Sequence, residues 1–157
     1  MAKTTRATQF LDKAGVAYTT ATYDYDPNAE RIGLQAAEAI GEHPSRVLKT
    51  LMAELDGKPV CVVVPSDKEV SMKKLASAFG GKSAAMMKPA NAEKLTGFVV
   101  GGISPFGQKK QVPTAIEISA MDEPLVYMNG GQRGLQVRLS PQDALKALGA
   151  VAAPLTA

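Results

Sequence analysis

Two apolar segments joined by Asp56-Gly57 strongly indicate a β-hairpin. Residues 47–55 read "VLKTLMAEL" and residues 58–64 read "KPVCVVV". An Asp-Gly pair between such segments favours a two-residue hairpin turn, because both turn positions need positive φ angles that these residues tolerate. We therefore predict two neighbouring antiparallel strands in this part of the chain.

Helix caps and further strand patterns surround the hairpin. Helices are predicted in "RATQFLDKA", "LQAAEAIG", "MKKLASAF", "PANAEKL" and "QDALKAL", and further strands in "VAYTTATY", "TAIEIS", "LVYM" and "LQVRL". The last eight residues, "AVAAPLTA", are predicted to form a loose tail. Closely spaced strands with helices between the groups indicate an α+β fold on a largely antiparallel or mixed sheet. With 157 residues, the chain is expected to form a single domain over residues 1–157.

Composition excludes several classes of protein. The net charge of +3 is compatible with a polyanionic partner but does not indicate one. The chain has four Phe, four Tyr and no Trp, and this shortage of aromatic residues argues against a general binder of single-stranded nucleic acid that stacks bases. No run of about 18 apolar residues predicts a membrane helix. One cysteine allows no internal disulfide, and no Cys/His set suggests zinc. We expect a cytoplasmic protein without metal, cofactor, membrane or DNA partner.

Lys49 has an unusual position in the first strand of the hairpin. A period of two places it on the same face as Val47, Leu51, Ala53 and Leu55. An ammonium group on an apolar face must reach water at the end of the sheet, pair with a carboxylate or face a ligand site. Lys49 is therefore a candidate functional residue.

The segment "GGISPFGQKK", residues 101–110, predicts a loop whose backbone has a defined shape. Glycine permits close approach of the backbone to a ligand, and proline fixes its own φ. The two lysines that follow add positive charge beside exposed N–H groups, which suits an anion or a polarised oxygen. An ordinary turn is the alternative interpretation.

Side chains that could serve as a protein nucleophile or base are scarce. His43 is the one histidine and falls in a predicted turn, and Cys61 lies inside the apolar run "VCVVV". The first is typical of a solvated surface residue and the second of a small buried hydrophobe. The carboxylates show no paired spacing that would indicate acid/base catalysis.

Three separated motifs together resemble the YbaK family. They are "VLKTL" at 47–51, "TGFVVGGISPFGQKK" at 96–110 and "NGGQRGL" at 129–135. Members of this family are stand-alone relatives of the editing domain of bacterial prolyl-tRNA synthetases, and they deacylate misacylated tRNA. The resemblance implies a compact mixed α/β domain with a strongly curved, barrel-like sheet flanked by short helices. It also implies aminoacylated tRNA, held at its 3′ end, and prolyl-tRNA synthetase as partners.

The resemblance further implies a set of site residues. Lys49 and Gly101 would take the catalytic roles. The substrate would be bound by Tyr23, Ile32, Thr50, Gly102, Ile103, Ser104, Pro105, Asn129, Gly130, Gly131 and Gln136.

Several of these positions depart from the family pattern. Tyr25 replaces a histidine, Ile32 an aromatic residue found in some relatives, Asn129 a frequent serine and Gln136 an aspartate. Asn and Gln retain hydrogen-bonding ability, so the departures bear on the preferred amino acid rather than on activity. Cysteine is the first expectation, and alanine or another small residue is the second.

An aminoacyl ester is already activated, so a deacylase needs mainly to position it and to stabilise charge on the carbonyl oxygen. In the cysteine-specific members, the thiol of the substrate is thought to attack the ester carbonyl, so that the amino acid leaves as a cyclic thiolactone.

Two alternative functions remain open. One is a module that binds the tRNA 3′ end or a synthetase without catalysis, and the other is a deacylase for alanine or another small amino acid that acts through a positioned water.

Overall fold

The structure is a computed structural model that describes residues 4–28 and 32–157. Within these ranges the helices are α1 (Arg6–Ala14), α2 (Ile32–Ile40), α3 (Met72–Ala78), α4 (Pro89–Thr96) and α5 (Pro141–Leu148). The strands are β1 (Thr19–Thr22), β2 (Leu48–Leu55), β3 (Lys58–Pro65), β4 (Ala84–Met86), β5 (Thr114–Glu117), β6 (Val126–Asn129), β7 (Leu135–Leu139) and β8 (Val151–Ala153). Two 3-10 turns cover Pro44–Arg46 and Ile118–Asp122.

The strands form two sheets. One has the order β4-β2-β3-β5-β8, in which β3, β5 and β8 are parallel and β2 is antiparallel to both of its neighbours. The other has the order β1-β7-β6 and is antiparallel. The predicted mixed α+β fold is thus confirmed. The prediction of a single barrel-like sheet is not confirmed. In the described residues, the backbone pairing between the two sheets is limited to one parallel bridge between Val47 and Tyr127, and β6 pairs along its length with β7 instead.

The Asp56-Gly57 hairpin forms as predicted. The φ angles are 51° at Asp56 and 83° at Gly57, and Leu55 pairs with Lys58 across the turn. Both turn residues therefore adopt the positive φ that a two-residue hairpin requires. The register places Lys49 opposite Val64.

β3 is buried on both faces, since the side chains of residues 60–64 are at most 3% exposed. On one face Cys61 and Val63 belong to the largest core cluster, which includes residues of α1, α4 and α5. On the other face Val62 and Val64 pack with Leu75 of α3 and with Leu155. The central sheet therefore has a core on each side, and β2 carries residues of both.

The C-terminal segment is ordered, so the prediction of a loose tail was wrong. β8 pairs in parallel with β5, and Leu155 is fully buried. The carboxylate of Glu117 accepts hydrogen bonds from the backbone N–H of Leu155 at 2.8 Å and of Thr156 at 3.2 Å. These are contacts between residues nearly 40 positions apart, which local composition does not reveal.

β4 lies between the helices predicted over residues 72–79 and 89–95, where no strand was predicted, and it pairs with the far end of β2. It brings Met86 opposite Ala53.

Across residues 4–28 and 32–157, none of the helices is long and apolar enough to cross a membrane.

Candidate functional site

A cavity of about 320 Å³ opens beside β2. Seven predicted site residues line it: Tyr23, Lys49, Thr50, Gly101, Ile103, Asn129 and Gln136. The remaining lining residues are mostly apolar: Ala36, Val47, Leu48, Leu51, Met52, Met86, Met87, Pro89, Ala92 and Val100. The fold thus brings three separated motifs to a single small, largely apolar space.

Lys49 stands on the apolar face of β2, as the period-two pattern predicted. Its side chain is 21% exposed, and its Nζ lies 3.8 Å from Oε1 of Glu69, whose side chain is 80% exposed. An ion pair of this length with a solvated carboxylate holds the ammonium weakly. Lys49 can therefore exchange Glu69 for an anionic or polar group of a ligand in the cavity.

Two buried oxygen atoms in residues that line the cavity lack hydrogen-bond partners. They are Oε1 of Gln136 and Oγ1 of Thr50, neither of which makes a hydrogen bond with another described residue. Gln136 is only 4% exposed. Leaving a buried polar atom unpaired is costly, so such atoms favour a ligand that supplies the missing hydrogen bond. An ammonium, hydroxyl or thiol group would meet that need.

Gly101 lines the cavity in a conformation that favours glycine. Its φ angle is +90°, and an added Cβ would lie 2.9 Å from Cζ of Tyr25. Its N–H makes no hydrogen bond with another described residue, whereas the N–H of Gly102 donates to Val99 O at 2.8 Å. Gly101 thus offers a backbone donor at the cavity wall.

Gly102, Ser104 and Pro105 are buried but do not line the cavity. An added Cβ on Gly102 would lie 2.8 Å from the backbone nitrogen of Arg133. Ser104 Oγ accepts a hydrogen bond from the N–H of Phe106 at 3.1 Å, and its carbonyl accepts from Gln108 Nε2 at 3.0 Å. These residues shape the loop that carries Gly101 and Ile103, with Phe106 anchored in the core.

Asn129 connects the third motif to the loop between α4 and β5, residues 97–113, which we call the glycine loop. Its Nδ2 donates to Gly101 O at 3.1 Å, and its Oδ1 accepts from the N–H of Gly131 at 2.7 Å. Gly130 and Gly131 do not line the cavity; the carbonyl of Gly130 accepts a hydrogen bond from Thr5 Oγ1 at 2.5 Å. The Asn-Gly-Gly segment therefore supports the position of Gly101.

Tyr23 contributes a hydroxyl group to the site. Burial raises its pKa above the ordinary tyrosine value, and the nearby Tyr25 raises it further, while the Gln136 side chain and the Gly134 backbone act in the opposite direction. The phenol is therefore neutral at physiological pH and can donate a hydrogen bond. The side chain of Ile32 lies outside the part of the chain that the structure describes.

Among the described residues, no Cys, Ser, His, Asp or Glu side chain lines the cavity. The Nδ1 atom of His43 accepts from the N–H of Ser45 at 3.1 Å, which caps a 3-10 turn. Burial raises the pKa of Cys61 to about 12, against the weaker opposing effects of Gln108 and Thr114, so its thiol stays protonated. Among residues 4–28 and 32–157, no group of three His, Cys, Asp or Glu residues could hold a metal ion.

Sequence reasoning missed the apolar walls of the cavity. Met86, Met87 and Ala92 come from β4, α4 and the connection between them, while Ala36 comes from α2. Their sequence signals are those of ordinary core residues, and only the packing of these elements against β2 shows that they enclose a space. The contact of Tyr25 with Gly101 was also missed, although Tyr25 had been recognised as a departure from the family pattern.

A sequence profile of the aminoacyl-tRNA editing domain family matches residues 26–147. The chain belongs to this family. The match contains Lys49, the glycine loop and the Asn-Gly-Gly segment, and it confirms the resemblance that the three motifs indicated.

Individual relatives agree with this assignment. An Enterococcus faecalis protein, provisionally named Cys-tRNA(Pro)/Cys-tRNA(Cys) deacylase EbsC, is 32% identical over 90% of this chain and 86% of its own length. The Escherichia coli multifunctional Ser/Thr-tRNA deacylase ProXp-y is 24% identical over 90% and 85%. The crystal structure of a provisionally named trans-editing enzyme for prolyl-tRNA synthetase covers 97% of this chain and 95% of its own, with a TM-score of 0.81 and 23% identity, and it shows the same fold.

Proposed function

We propose that this protein is a trans-editing deacylase that removes a wrongly attached amino acid, cysteine in the first place, from tRNA(Pro). The observation that carries the proposal is the cavity beside β2, which combines a small apolar space, the ammonium of Lys49 and two unpartnered buried oxygens. The first relative described above, named as a deacylase of Cys-tRNA(Pro) and Cys-tRNA(Cys), supports the choice of amino acid.

The proposed roles of the residues follow from what each group can donate or accept. Gln136 Oε1 and Thr50 Oγ1 accept hydrogen bonds from the α-ammonium group of the substrate, which satisfies both atoms. Lys49 holds a phosphate or ribose oxygen of the tRNA end, or polarises the ester. The N–H of Gly101 and the hydroxyl of Tyr23 are donors for the carbonyl oxygen as it gains charge.

The proposed chemistry needs no protein nucleophile. The thiol of the cysteinyl group loses its proton, and its sulfur attacks the ester carbonyl carbon to form a carbon–sulfur bond. The bond between that carbon and the ribose oxygen breaks, and the ribose oxygen takes up a proton. The product is a cyclic thioester that water then opens to free cysteine. The protein supplies position and electrostatic stabilisation, which is what the cavity offers.

A second candidate is a deacylase of seryl- or threonyl-tRNA. The same unpartnered oxygens of Thr50 and Gln136 could accept a hydrogen bond from a substrate hydroxyl, and the relative from Escherichia coli is named for Ser/Thr-tRNA. Because a hydroxyl is a much weaker nucleophile than a thiol, this activity would need a positioned water.

The test is a deacylation assay on cysteinyl-, alanyl-, seryl-, threonyl- and prolyl-tRNA(Pro), with the same amino acids on a second tRNA. We expect cysteine to be removed fastest and proline to be retained. Seryl- and threonyl-tRNA cleaved faster than cysteinyl-tRNA would favour the second candidate. Binding of tRNA without any deacylation would identify a non-catalytic module.

We further propose that residues 1–157 act as one domain in the cytoplasm and that prolyl-tRNA synthetase is a partner. Co-purification of the two proteins would test the partnership.

A further inference from the structure

Arg133 stands outside the cavity but is tied to its glycine loop. Its Nε donates to the carbonyl of Val100 at 2.9 Å, and Val100 and Gly101 both line the cavity. Its guanidinium carbon lies 5.1 Å from the ring centroid of Tyr25, within cation–π distance. Tyr25 in turn packs against Gly101. The side chain of Arg133 is therefore held in place beside the cavity by two separate contacts.

The guanidinium group of Arg133 is exposed, and its charge has no partner among the described residues. No carboxylate there lies within ion-pair distance of it. Its Nη atoms make no hydrogen bond with a described residue, so they remain available as donors. A fixed, uncompensated guanidinium with free N–H groups is suited to bidentate binding of a phosphate.

Two more cations lie along the same loop. Arg6 and Lys109 flank Gly97, since Arg6 Cζ and Lys109 Cβ each lie 3.5 Å from the position that a Cβ of Gly97 would occupy. Both side chains are exposed. Among the described residues, Glu93 is the acidic residue that forms a hydrogen bond with this loop. Its Oε2 accepts from the N–H of Val100 at 2.8 Å. Cationic side chains thus lie at both ends of residues 97–101, Arg6 and Lys109 at Gly97 and Arg133 at Val100.

We infer that Arg133 binds a backbone phosphate of the single-stranded 3′ end of tRNA, next to the nucleotide that carries the amino acid, and that Arg6 and Lys109 continue this contact away from the cavity. The inference rests on the proposed function for the identity of the RNA. A ribose whose amino acid occupies the cavity would bring its neighbouring phosphate onto the adjoining surface, where Arg133 lies.

The first experiment measures binding of uncharged tRNA(Pro) by fluorescence anisotropy between about 50 and 200 mM salt. Arg133→Gln should weaken binding about tenfold and lower the salt slope by about one, because one phosphate contact is lost. Arg133→Lys should retain the slope. The matched control is Arg138→Gln: the guanidinium carbon of the exposed Arg138 also lies over a tyrosine ring, 5.8 Å from the centroid of Tyr127, but Arg138 makes no hydrogen bond with the glycine loop.

The second experiment repeats the measurement on tRNA that lacks its single-stranded 3′ end. The difference between Arg133→Gln and the parent protein should disappear on this RNA. Equal losses on intact and shortened tRNA, or a variant Arg133→Gln that binds like Arg138→Gln, would overturn the inference.

A third measurement separates phosphate binding from support of the loop. Arg133→Gln should lose at least about fivefold more kcat/KM on cysteinyl-tRNA than on cysteine ethyl ester, through KM, because the small ester has no phosphate. Equal losses on both substrates would show that Arg133 acts only through Val100 and would overturn the inference. If the parent protein cleaves no aminoacyl-tRNA at all, the proposed function fails, while the anisotropy experiments still decide the role of Arg133.

Discussion

The side-chain amide of Asn129 bridges two loops: its Nδ2 donates to the carbonyl of Gly101 at 3.1 Å, while its Oδ1 accepts from the N–H of Gly131 at 2.7 Å. Asn129 is only 8% exposed, so both bonds are shielded from water. Because the amide carries one donor group and one acceptor atom, it can satisfy both backbone groups at once. The position of the Gly101 backbone at the cavity therefore depends on a residue of β6.

Replacement of Asn129 tests this dependence. Asn129→Ala removes both bonds and leaves two backbone groups unpaired, so we expect a loss of about 1–3 kcal/mol in the free energy of unfolding. Deacylation should fall by at least about tenfold, because Gly101 is no longer held. Urea unfolding and a deacylation assay measure the two effects. Full activity in the destabilised variant would show that the bridge does not position the site.

Gly101→Ala should impair both stability and turnover. Alanine at φ +90° is strained, by about 1–2 kcal/mol for the left-handed region, and its Cβ would also collide with the Tyr25 ring. Gly41→Ala is the matched control, since Gly41 has a φ of +80° with no atom within 4 Å of an added Cβ. We expect Gly101→Ala to be clearly less stable than Gly41→Ala in thermal unfolding and to lose activity that Gly41→Ala retains. Similar behaviour of the two variants would mean that backbone strain is the whole effect.

Lys49→Ala should fold normally and lose most activity. The ammonium makes one long ion pair with the exposed Glu69, so its removal costs little stability. Loss of a charge-assisted contact with the substrate should lower kcat/KM by more than about tenfold. Lys58→Ala, at the exposed start of β3, serves as the control. Activity within about twofold of the parent would exclude the proposed role, and an unfolded variant would identify Lys49 as structural.

The carboxylate of Glu117 should make stability depend on pH. Burial acts to raise its pKa, but hydrogen bonds from the backbone N–H groups of Leu155, Ser119 and Thr156 and from the Ser119 side chain outweigh burial, and the pKa lies below the ordinary value. A depressed pKa stabilises the fold above the unfolded-state value of about 4.3, and this stability is lost as the pH falls below it. The Glu117→Gln variant should therefore have a lower free energy of unfolding than the parent at neutral pH. Its free energy of unfolding should also decrease less than that of the parent between about pH 5 and pH 3. Parallel pH profiles for variant and parent would contradict this assignment.

The identity of the first product tests the thiol mechanism. Cysteinyl-tRNA should be cleaved much faster than seryl-tRNA, although the two differ by one atom, because a thiol ionises more readily than a hydroxyl. Mass analysis of the earliest product should detect the cyclic thioester before free cysteine. Comparable rates for cysteinyl-, seryl- and alanyl-tRNA, with free amino acid as the first product, would indicate a positioned water instead.

The local elements were predictable because their causes are local. Thr5 accepts a hydrogen bond from the N–H of Thr8 at the start of α1, and Ser71 and Ser140 cap α3 and α5 in the same manner. The hairpin at Asp56-Gly57 follows from the φ angles that these two residues tolerate. The period of two that placed Lys49 on an apolar face is likewise a property of one strand.

The sequence by itself determined the hairpin, the helix caps, the apolar face that carries Lys49 and, through three motifs, the family. Only the tertiary structure decided that the strands form two sheets, that the C-terminal segment pairs with β5 through Glu117, and that Gly101 faces the cavity while Ser104 and Pro105 do not. The physical reason is distance along the chain. Caps, turns and strand periodicity arise between residues a few positions apart. Strand pairing, cavity walls and the Asn129–Gly101 bridge instead join residues separated by many positions, and the local sequence around each residue does not predict which distant residue it contacts.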